Sequence, residues 1–381
     1  MAPGFQTFLI AALIIAISYS VIILLITRGW FRLGYFRSNS PVPPATTVSI
    51  IIPARNESLT IKRCLAGLLE QDFPKGLTEI ILVDDHSEDQ THQIMSELSG
   101  ETKEVKIVIL SLTHSTGKKA AIRLAMKFAT GSFILCTDAD CLHPAGWVSE
   151  MVRFFETKDP VFVSGPVLLT SGGNIFGRFQ EFEFLSLVAS GAGSIGAEMP
   201  IMCNGANLGF SAEAYGRLNG DAMKSGISSG DDIFLMLGFK EVFGPSRVSF
   251  VKSRNAIVRA EAKRTMAGFI RQRLRWVSKS RAYRDPFLIL SAISVMLMNT
   301  CIFLTAIAGI FNGLYFRLAL GLIVLKTIAD YPLLISFSRF AGIKNAGWII
   351  PVLEPFVVLI TTFTAFAGNL FRNSWKGRKI Y

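Results

Sequence analysis

The sequence predicts an α/β domain of strands and crossover helices, with transmembrane helices on both its N-terminal and C-terminal sides. Three observations predict it. β-Branched apolar runs alternate with helical periodicity between residues 48 and 137, and several of these runs end in acidic residues. Phe8 to Ile26 contains no charge. Hydrophobic residues make up 50% of the 381 positions and charged ones 18%, below the ~25% of an ordinary soluble domain. Mean hydropathy is +0.43. This composition excludes a disordered chain, a disulfide mini-protein and a simple soluble enzyme. The length allows two or three domains. The net charge of +11 fits either nucleic acid or the rim of membrane helices beside a polyphosphate ligand. The apolar excess favours the second, so no nucleic-acid partner is expected. The five cysteines, an odd number without CxxC spacing, read as free thiols, and the four histidines form no ligand pair that would suit zinc.

The N-terminal element comes first. At 1.5 Å per residue, Phe8–Ile26 reaches roughly 28 Å, enough for a hydrocarbon core of ~30 Å. No basic residue precedes it and no small-x-small site follows, so a retained anchor is expected rather than a signal peptide. Arg28, Arg32 and Arg37 follow it and place its C-terminal end on the cytoplasmic side.

Val48–Pro53 reads as a strand buried on both faces. Ile61, Leu65, Leu68 and Leu69 repeat at helical spacing. Glu79–Val83 is a second strand, ending in Asp84-Asp85. Thr91–Leu98 reads as helix, Val105–Leu110 as strand, Lys118–Thr130 as helix and Phe133–Thr137 as strand, ending in Asp138-Ala-Asp140. This alternation predicts parallel strands with right-handed crossovers. Ligands of such sheets bind at the carboxyl ends of strands, where these four aspartates lie. Two motifs fail. Gly117-Lys118-Lys119 lacks the glycine a P-loop needs at Leu112 and the Ser/Thr at position 119. Gly191-x-Gly193-x-x-Gly196 follows Phe176, Phe179, Phe182 and Leu185 at near-helical spacing, not a strand, and reads as a loop after a helix.

Asp138-x-Asp140 offers two hard oxygen donors, suited to Mg2+ or Mn2+ with substrate phosphates completing the shell. Gly230-Asp231-Asp232 precedes an apolar helix start; its carboxylates suit either helix capping or proton abstraction. Gln272-Arg-Leu-Arg275-Trp276 lies in a stretch from Lys252 to Arg284 that holds eleven basic residues and, before Asp285, one acid, Glu261. Such a stretch suits a diphosphate, anionic lipid heads, or both.

Apolar character returns at Phe287–Phe316, Leu318–Phe337 and Trp348–Ala367. Asn312-Gly313 breaks the first run. Lys326 and Asp330, four apart, should face other helices rather than lipid. Four spans would put the C-terminus opposite the domain, whereas Arg372, Lys376, Arg378 and Lys379 ask for the cytoplasmic side. Either that rule fails here or one late segment, most simply the Pro351- and Pro355-containing one, is re-entrant or interfacial.

Ile50–Glu57, Val83–Ser87, Thr137–Asp140, Gly230–Asp232 and Gln272–Trp276 stand in the order seen in membrane-bound family 2 glycosyltransferases, which this chain resembles over about residues 48–276. The resemblance is to cellulose-synthase-like and ceramide-glucosyltransferase-like members. It implies a GT-A nucleotide-sugar-binding domain, a Rossmann-like mixed sheet flanked by helices, and an inverting transfer from a nucleotide sugar, usually a UDP-sugar. Ala54, Arg55, Glu57, Asp85 and Lys118 would line the donor site. Asp138 would bind donor and metal, and Asp140 the Mg2+ or Mn2+. Asn204, Gly205 and Asn207 would edge the acceptor. Asp232, with Asp231 beside it, would be the base. Gln272 and Arg275 would hold the diphosphate and Trp276 would floor the acceptor. Asp231 stands where many members have Glu, and Arg55 replaces a common aromatic.

The resulting division is an anchor (1–27), a linker (28–47), a GT-A domain (48–250), an interfacial basic segment (251–285), C-terminal transmembrane segments (286–368) and a basic tail (369–381). The expected protein is integral and multi-pass, its catalytic domain cytoplasmic as at a bacterial inner membrane. The expected activity is transfer to a lipid or lipid-linked glycan acceptor in the bilayer. A processive polysaccharide synthase and a non-catalytic scaffold are the alternatives. The Gln272–Trp276 segment, with Phe269, Ile270, Leu274 and Val277 as its apolar residues, and the Phe176–Leu187 stretch are expected to lie at the interface and frame the way in for a lipid acceptor.

Overall fold

The computed structural model describes residues 3–37, 43–218, 223, 230–370, 373–375 and 378–380. Arg372 and Lys376 lie outside them. In chain order the elements are α1 (Pro3–Arg32), β1 (Val48–Ala54), α2 (Ile61–Leu69), β2 (Thr78–Asp84), α3 (Thr91–Glu101), β3 (Lys106–Ser111), α4 (Lys118–Met126), β4 (Phe133–Cys136), α5 (Trp147–Lys158), β5 (Phe162–Ser164), β6 (Val167–Thr170) and α6 (Ile175–Gly196). They continue with β7 (Leu208–Ser211), α7 (Ala212–Gly216), α8 (Asp231–Phe243), β8 (Val248–Phe250), β9 (Val258–Glu261), α9 (Met266–Ser278), α10 (Pro286–Gly309), α11 (Gly313–Ala341), α12 (Ala346–Leu370), β10 (Asn373–Trp375) and β11 (Arg378–Ile380). Two compact units result: residues 33–173 with 202–262, and residues 1–32 with 174–201 and 263–381.

The first unit is built on a seven-stranded sheet in the order β3-β2-β1-β4-β7-β5-β8. β1 sits between β2 and β4, parallel to both, and its Ile50, Ile51 and Ile52 are fully enclosed, as a run buried on both faces requires. β7 joins β4 antiparallel, so the sheet is mixed, as the family resemblance implies. The parallel pair β6–β9 forms a second, small sheet. α4 stops at Met126 rather than running to Thr130, because the chain must drop onto β1. A Cβ on Gly131 would come within 2.4 Å of the Ser49 nitrogen, so the approach there needs glycine.

The second unit is helical apart from the antiparallel pair β10–β11. α1, α10, α11 and α12 are long and apolar enough to cross a membrane. The break between α10 and α11 falls at Asn312, whose Oδ1 accepts from the Leu314 N–H at 2.9 Å. α12 is one continuous helix through Pro351 and Pro355. Both prolines fall in its first ten residues, where neighbouring helices hold the turn. Lys326 and Asp330 point inward as expected. The ammonium bonds Asp330 at 2.8 Å and also Glu354 of α12, and the Tyr19 hydroxyl of α1 donates to both Asp330 oxygens at 2.7 and 2.9 Å. Ala12, Ala16, Ile23, Met298 and Leu322 fill the bundle around them.

α6 belongs to this helical unit. The Gly191–Gly196 segment lies inside it, not in a loop, and the glycines serve packing. A Cβ on Gly193 would sit 2.4 Å from the Ile26 carbonyl oxygen, and one on Gly29 would sit 2.0 Å from that of Gly193. The α1 and α6 backbones touch there as small residues allow.

Candidate active site

The carboxyl edge of the sheet in the first unit carries the site. β2 ends in Asp84 and Asp85, both buried. Asp85 Oδ2 accepts from the Gly117 N–H at 3.0 Å, and its Oδ1 lies 3.2 Å from His86 Nδ1. Gly117, with φ +93°, needs glycine and starts α4 directly at Lys118. Ala54 ends β1 and is buried, its carbonyl accepting the Asp85 N–H at 2.8 Å. Glu57 Oε2 accepts from the Thr60 hydroxyl at 2.9 Å.

Lys118 is the centre of the constellation. Its Nζ lies 2.5 Å from Asp138 Oδ1, 3.0 Å from the Gly205 carbonyl oxygen and 3.6 Å from Asp231 Oδ2. Burial works against the ammonium, yet the Asp138, Asp231 and Asp232 carboxylates outweigh it and hold the Lys118 pKa above its ordinary value. Asp232 Oδ2 accepts from the Gly205 N–H at 3.2 Å, and its Oδ1 from the Ile233 N–H at 2.8 Å. Gly230, at φ +80°, turns the chain so that both aspartates open α8 at its positive end. Asn204 Oδ1 accepts from the Ala206 N–H at 2.9 Å and keeps the Gly205 turn closed. Lys118, Asp138, Gly205, Asp231 and Asp232, singled out from four separate stretches of sequence, thus meet in one place.

Asp138, Asp140 and Cys141 present their ligand atoms within 4.8 Å of one another. Burial, helped by Asp138 and Asp140, pushes the Cys141 thiol well up, so it stays protonated and donates to Asp140 Oδ1 at 3.7 Å. Two of these three donors are carboxylates, and their hard oxygens fit Mg2+ or Mn2+. All five cysteines are free, as their number and spacing predict.

Two expected site residues have other work. Asn207 is fully enclosed. Its Nδ2 donates to the Pro166 and Ala256 carbonyls at 2.9 and 2.8 Å and its Oδ1 accepts from Trp147 Nε1 at 2.9 Å. It ties three segments together, with both amide hydrogens used and the whole side chain closed off from an acceptor. Arg55 turns its guanidinium inward to the Asp85 and His86 carbonyls at 2.8 and 2.9 Å, pinning the loop after β2 rather than offering a flat face. Residue type alone could not reveal this, because both partners are backbone oxygens. His143, not singled out from sequence, bonds Thr137 Oγ1 at 2.7 Å through Nε2, and that hydroxyl donates to the Ala206 carbonyl at 2.8 Å. The chain links the end of β4 to the Gly205 turn; its signal was a histidine three residues after the DxD. Gln272, Arg275 and Trp276 lie on α9, in the helical unit.

The mixed sheet flanked by helices, with a DxD at a strand end, is that of a GT-A domain. The chain belongs to glycosyltransferase family group 2, whose model, Glycosyl transferase family group 2, matches residues 133–365; that of Glycosyl transferase family 2 matches 49–210. Similar proteins include Glycosyltransferase AglE of Haloferax volcanii, 28% identical over 145 residues, 38% of this chain and 47% of that protein. Beta-monoglucosyldiacylglycerol synthase of Trichormus variabilis is 29% identical over 111 residues, 29% of this chain and 24% of that protein. The aligned stretch thus spans less than half the length of these relatives. In fold the chain is similar to the mannosyltransferase PcManGT from Pyrobaculum calidifontis, solved in complex with GDP-Man and Mn2+. The TM-score is 0.59 at 18% identity, over 96% of this chain and 99% of that one.

Proposed function

We propose that the protein is an inverting glycosyltransferase that moves a sugar from a nucleotide-sugar donor to a lipid acceptor in the membrane holding its apolar helices. The observation that carries this reading is the Lys118-centred cluster of Asp138, Asp231 and Asp232 beside the Asp138/Asp140 oxygen pair. Relatives that act on a lipid and a fold neighbour bound to GDP-Man support it. Family resemblance favours UDP in the donor.

In this reading Asp85 meets the base or ribose, and Asp138 and Asp140 hold Mg2+ or Mn2+. When bound, the ion would offset the charge that builds on the departing diphosphate. Lys118 adds a fixed positive charge near the same oxygens, and Gln272 and Arg275 are proposed to complete the grip. Asp232 takes the proton from the acceptor hydroxyl as that oxygen attacks the anomeric carbon from the side opposite the diphosphate. The bond to the diphosphate breaks, and the configuration inverts. Asp231 lies 3.6 Å from the Lys118 ammonium, and Asp232 is taken as the base because it stands at the position the family motif gives to that role. Asn204 and Gly205 border the acceptor and Trp276 lies under it.

The catalytic unit is assigned to the cytoplasmic side on the strength of Arg28, Arg32 and Arg37 after α1. The packed interior of the bundle supports single transfer over export of a polymer. The test uses the full chain in vesicles of phosphatidylglycerol, diacylglycerol and polyprenyl phosphate, given UDP-glucose, UDP-N-acetylglucosamine or GDP-mannose labelled in the sugar. Label in the lipid fraction supports the reading. A long water-soluble product would establish the processive alternative, and no consumption of any donor would leave the scaffold.

A further inference from the structure

α6 carries no residue that the family motifs name, yet one side of it is bonded to α9 and to the turn that leads into it. Gln180 exchanges hydrogen bonds with the backbone of Lys263, donating from Nε2 to its carbonyl and accepting its N–H, each at 2.9 Å. Three residues on, Glu183 takes the guanidinium of Arg273, Nε donating to Oε1 at 2.7 Å and Nη2 to Oε2. Arg273 Nη1 donates to Gln272 Oε1 at 2.9 Å. The guanidinium carbon lies over the Trp276 ring, 4.3 Å from its centroid, and 4.5 Å from that of Phe269. Arg273 is 5% exposed and Glu183 11%. A half-satisfied buried arginine would be costly, so the arrangement holds only with all partners present. Lysine could not replace it, because only a planar fork can chelate a carboxylate, reach an amide and stack on an indole at once.

We propose that Arg273, locked by Glu183 of α6, is a positioning residue for Gln272 and Trp276, and that Trp276 therefore offers an acceptor only the ring face turned away from the guanidinium. The first half rests on hydrogen bonds and stacking alone; the second rests on the proposed transferase reading. Glu183 thereby acts on the motif from outside it, through Arg273 and not by touching substrate. The Phe184 ring, 6.0 Å from Trp276, adds a second restraint on the indole.

The experiment uses the full chain in phosphatidylglycerol–diacylglycerol vesicles, with UDP-glucose and GDP-mannose as probes. In Arg273→Lys and Glu183→Gln the ratio of sugar transferred to lipid over sugar released to water should fall about tenfold or more, and donor KM should rise at least about threefold as the Gln272 amide loses its partner. Equal losses in both rates would mean that the pair merely holds the fold, and unchanged rates would remove any positioning role. A readout without turnover is acrylamide quenching of Trp276, isolated by subtracting the Trp276→Phe protein. Quenching should rise at least about twofold in Arg273→Ala and Glu183→Gln. Unchanged quenching overturns the proposal. Raised quenching in a parent protein that consumes neither probe would keep the positioning pair and reject the transferase reading.

Discussion

At the scale of single residues, the sequence announced which carboxylates gather better than how the side chains around them pack. Asp138, Asp231 and Asp232 were legible as neighbours in space because each stands at a strand end or a helix start on the carboxyl edge of the sheet. Asp232→Asn should leave donor affinity within about threefold and lower transfer about 10²- to 10⁴-fold, since only the proton acceptor is lost. Calorimetric donor binding beside a transfer assay checks this, and full activity would move the base elsewhere. Asp140→Ala should raise the metal concentration needed for half-maximal donor binding at least about tenfold, and EDTA should mimic it. Turnover that survives thorough chelation would remove the ion from the account. Asn207 and Arg55 were not legible, because what they satisfy is backbone oxygen from distant segments. Asn207→Ala should lower stability by about 2–4 kcal/mol, read as a drop in thermal midpoint, through the unsatisfied Pro166 and Ala256 carbonyls and the Trp147 N–H it leaves. A neutral substitution would return Asn207 to the list of acceptor contacts.

Elements were read most surely where one periodicity ran unbroken. β1 and β2 matched their apolar runs within two residues at either end, because burial on both faces leaves no other reading. The short strands β5 and β7, at 3 and 4 residues, were not foreseen; their direction is set by partners across the sheet, not by local pattern. The glycines of α6 looked like a loop because propensity disfavours them in a helix, whereas contact with α1 demands them. Gly193→Leu should force α1 and α6 apart and lower thermal stability by about 1–3 kcal/mol or more. An unchanged midpoint would mean that the contact is not tight. The β4–α5 connection carries a pH dependence. Burial lowers the His143 pKa from 6.5 to about 4. The unfolded chain therefore takes up a proton before the folded one does, so stability is full above about pH 6.5 and declines as pH falls toward 4. At ~1.4 kcal/mol per pKa unit the loss approaches about 3 kcal/mol. Thermal midpoints between pH 7 and 4.5 should show the decline, and His143→Gln should flatten it; an identical slope in that variant would place the acid sensitivity elsewhere.

For the whole molecule, the sequence displayed two kinds of chain, an α/β domain and apolar helices, because hydropathy and strand periodicity are local properties. It did not display that residues 174–201 group with the helices although the chain on either side belongs to the sheet. That grouping depends on contacts between α6 and α1 at Gly193 and Gly29, positions far apart in the chain. Nor did it settle how a basic tail fits four apolar helices, since charge counts along a sequence cannot say which segments pack together. The buried link of Tyr19, Lys326, Asp330 and Glu354 joins α1, α11 and α12 within one bundle. The central claim is an inverting transfer to a lipid at the Asp232 site, and the anomeric configuration of the product tests it most directly. With an α-linked UDP-sugar as donor and vesicle lipid as acceptor, proton NMR of the purified product should show a β-linked sugar on lipid, and Asp232→Asn should yield none above background. An α-linked glycolipid, or β-product formed undiminished by Asp232→Asn, would contradict the account.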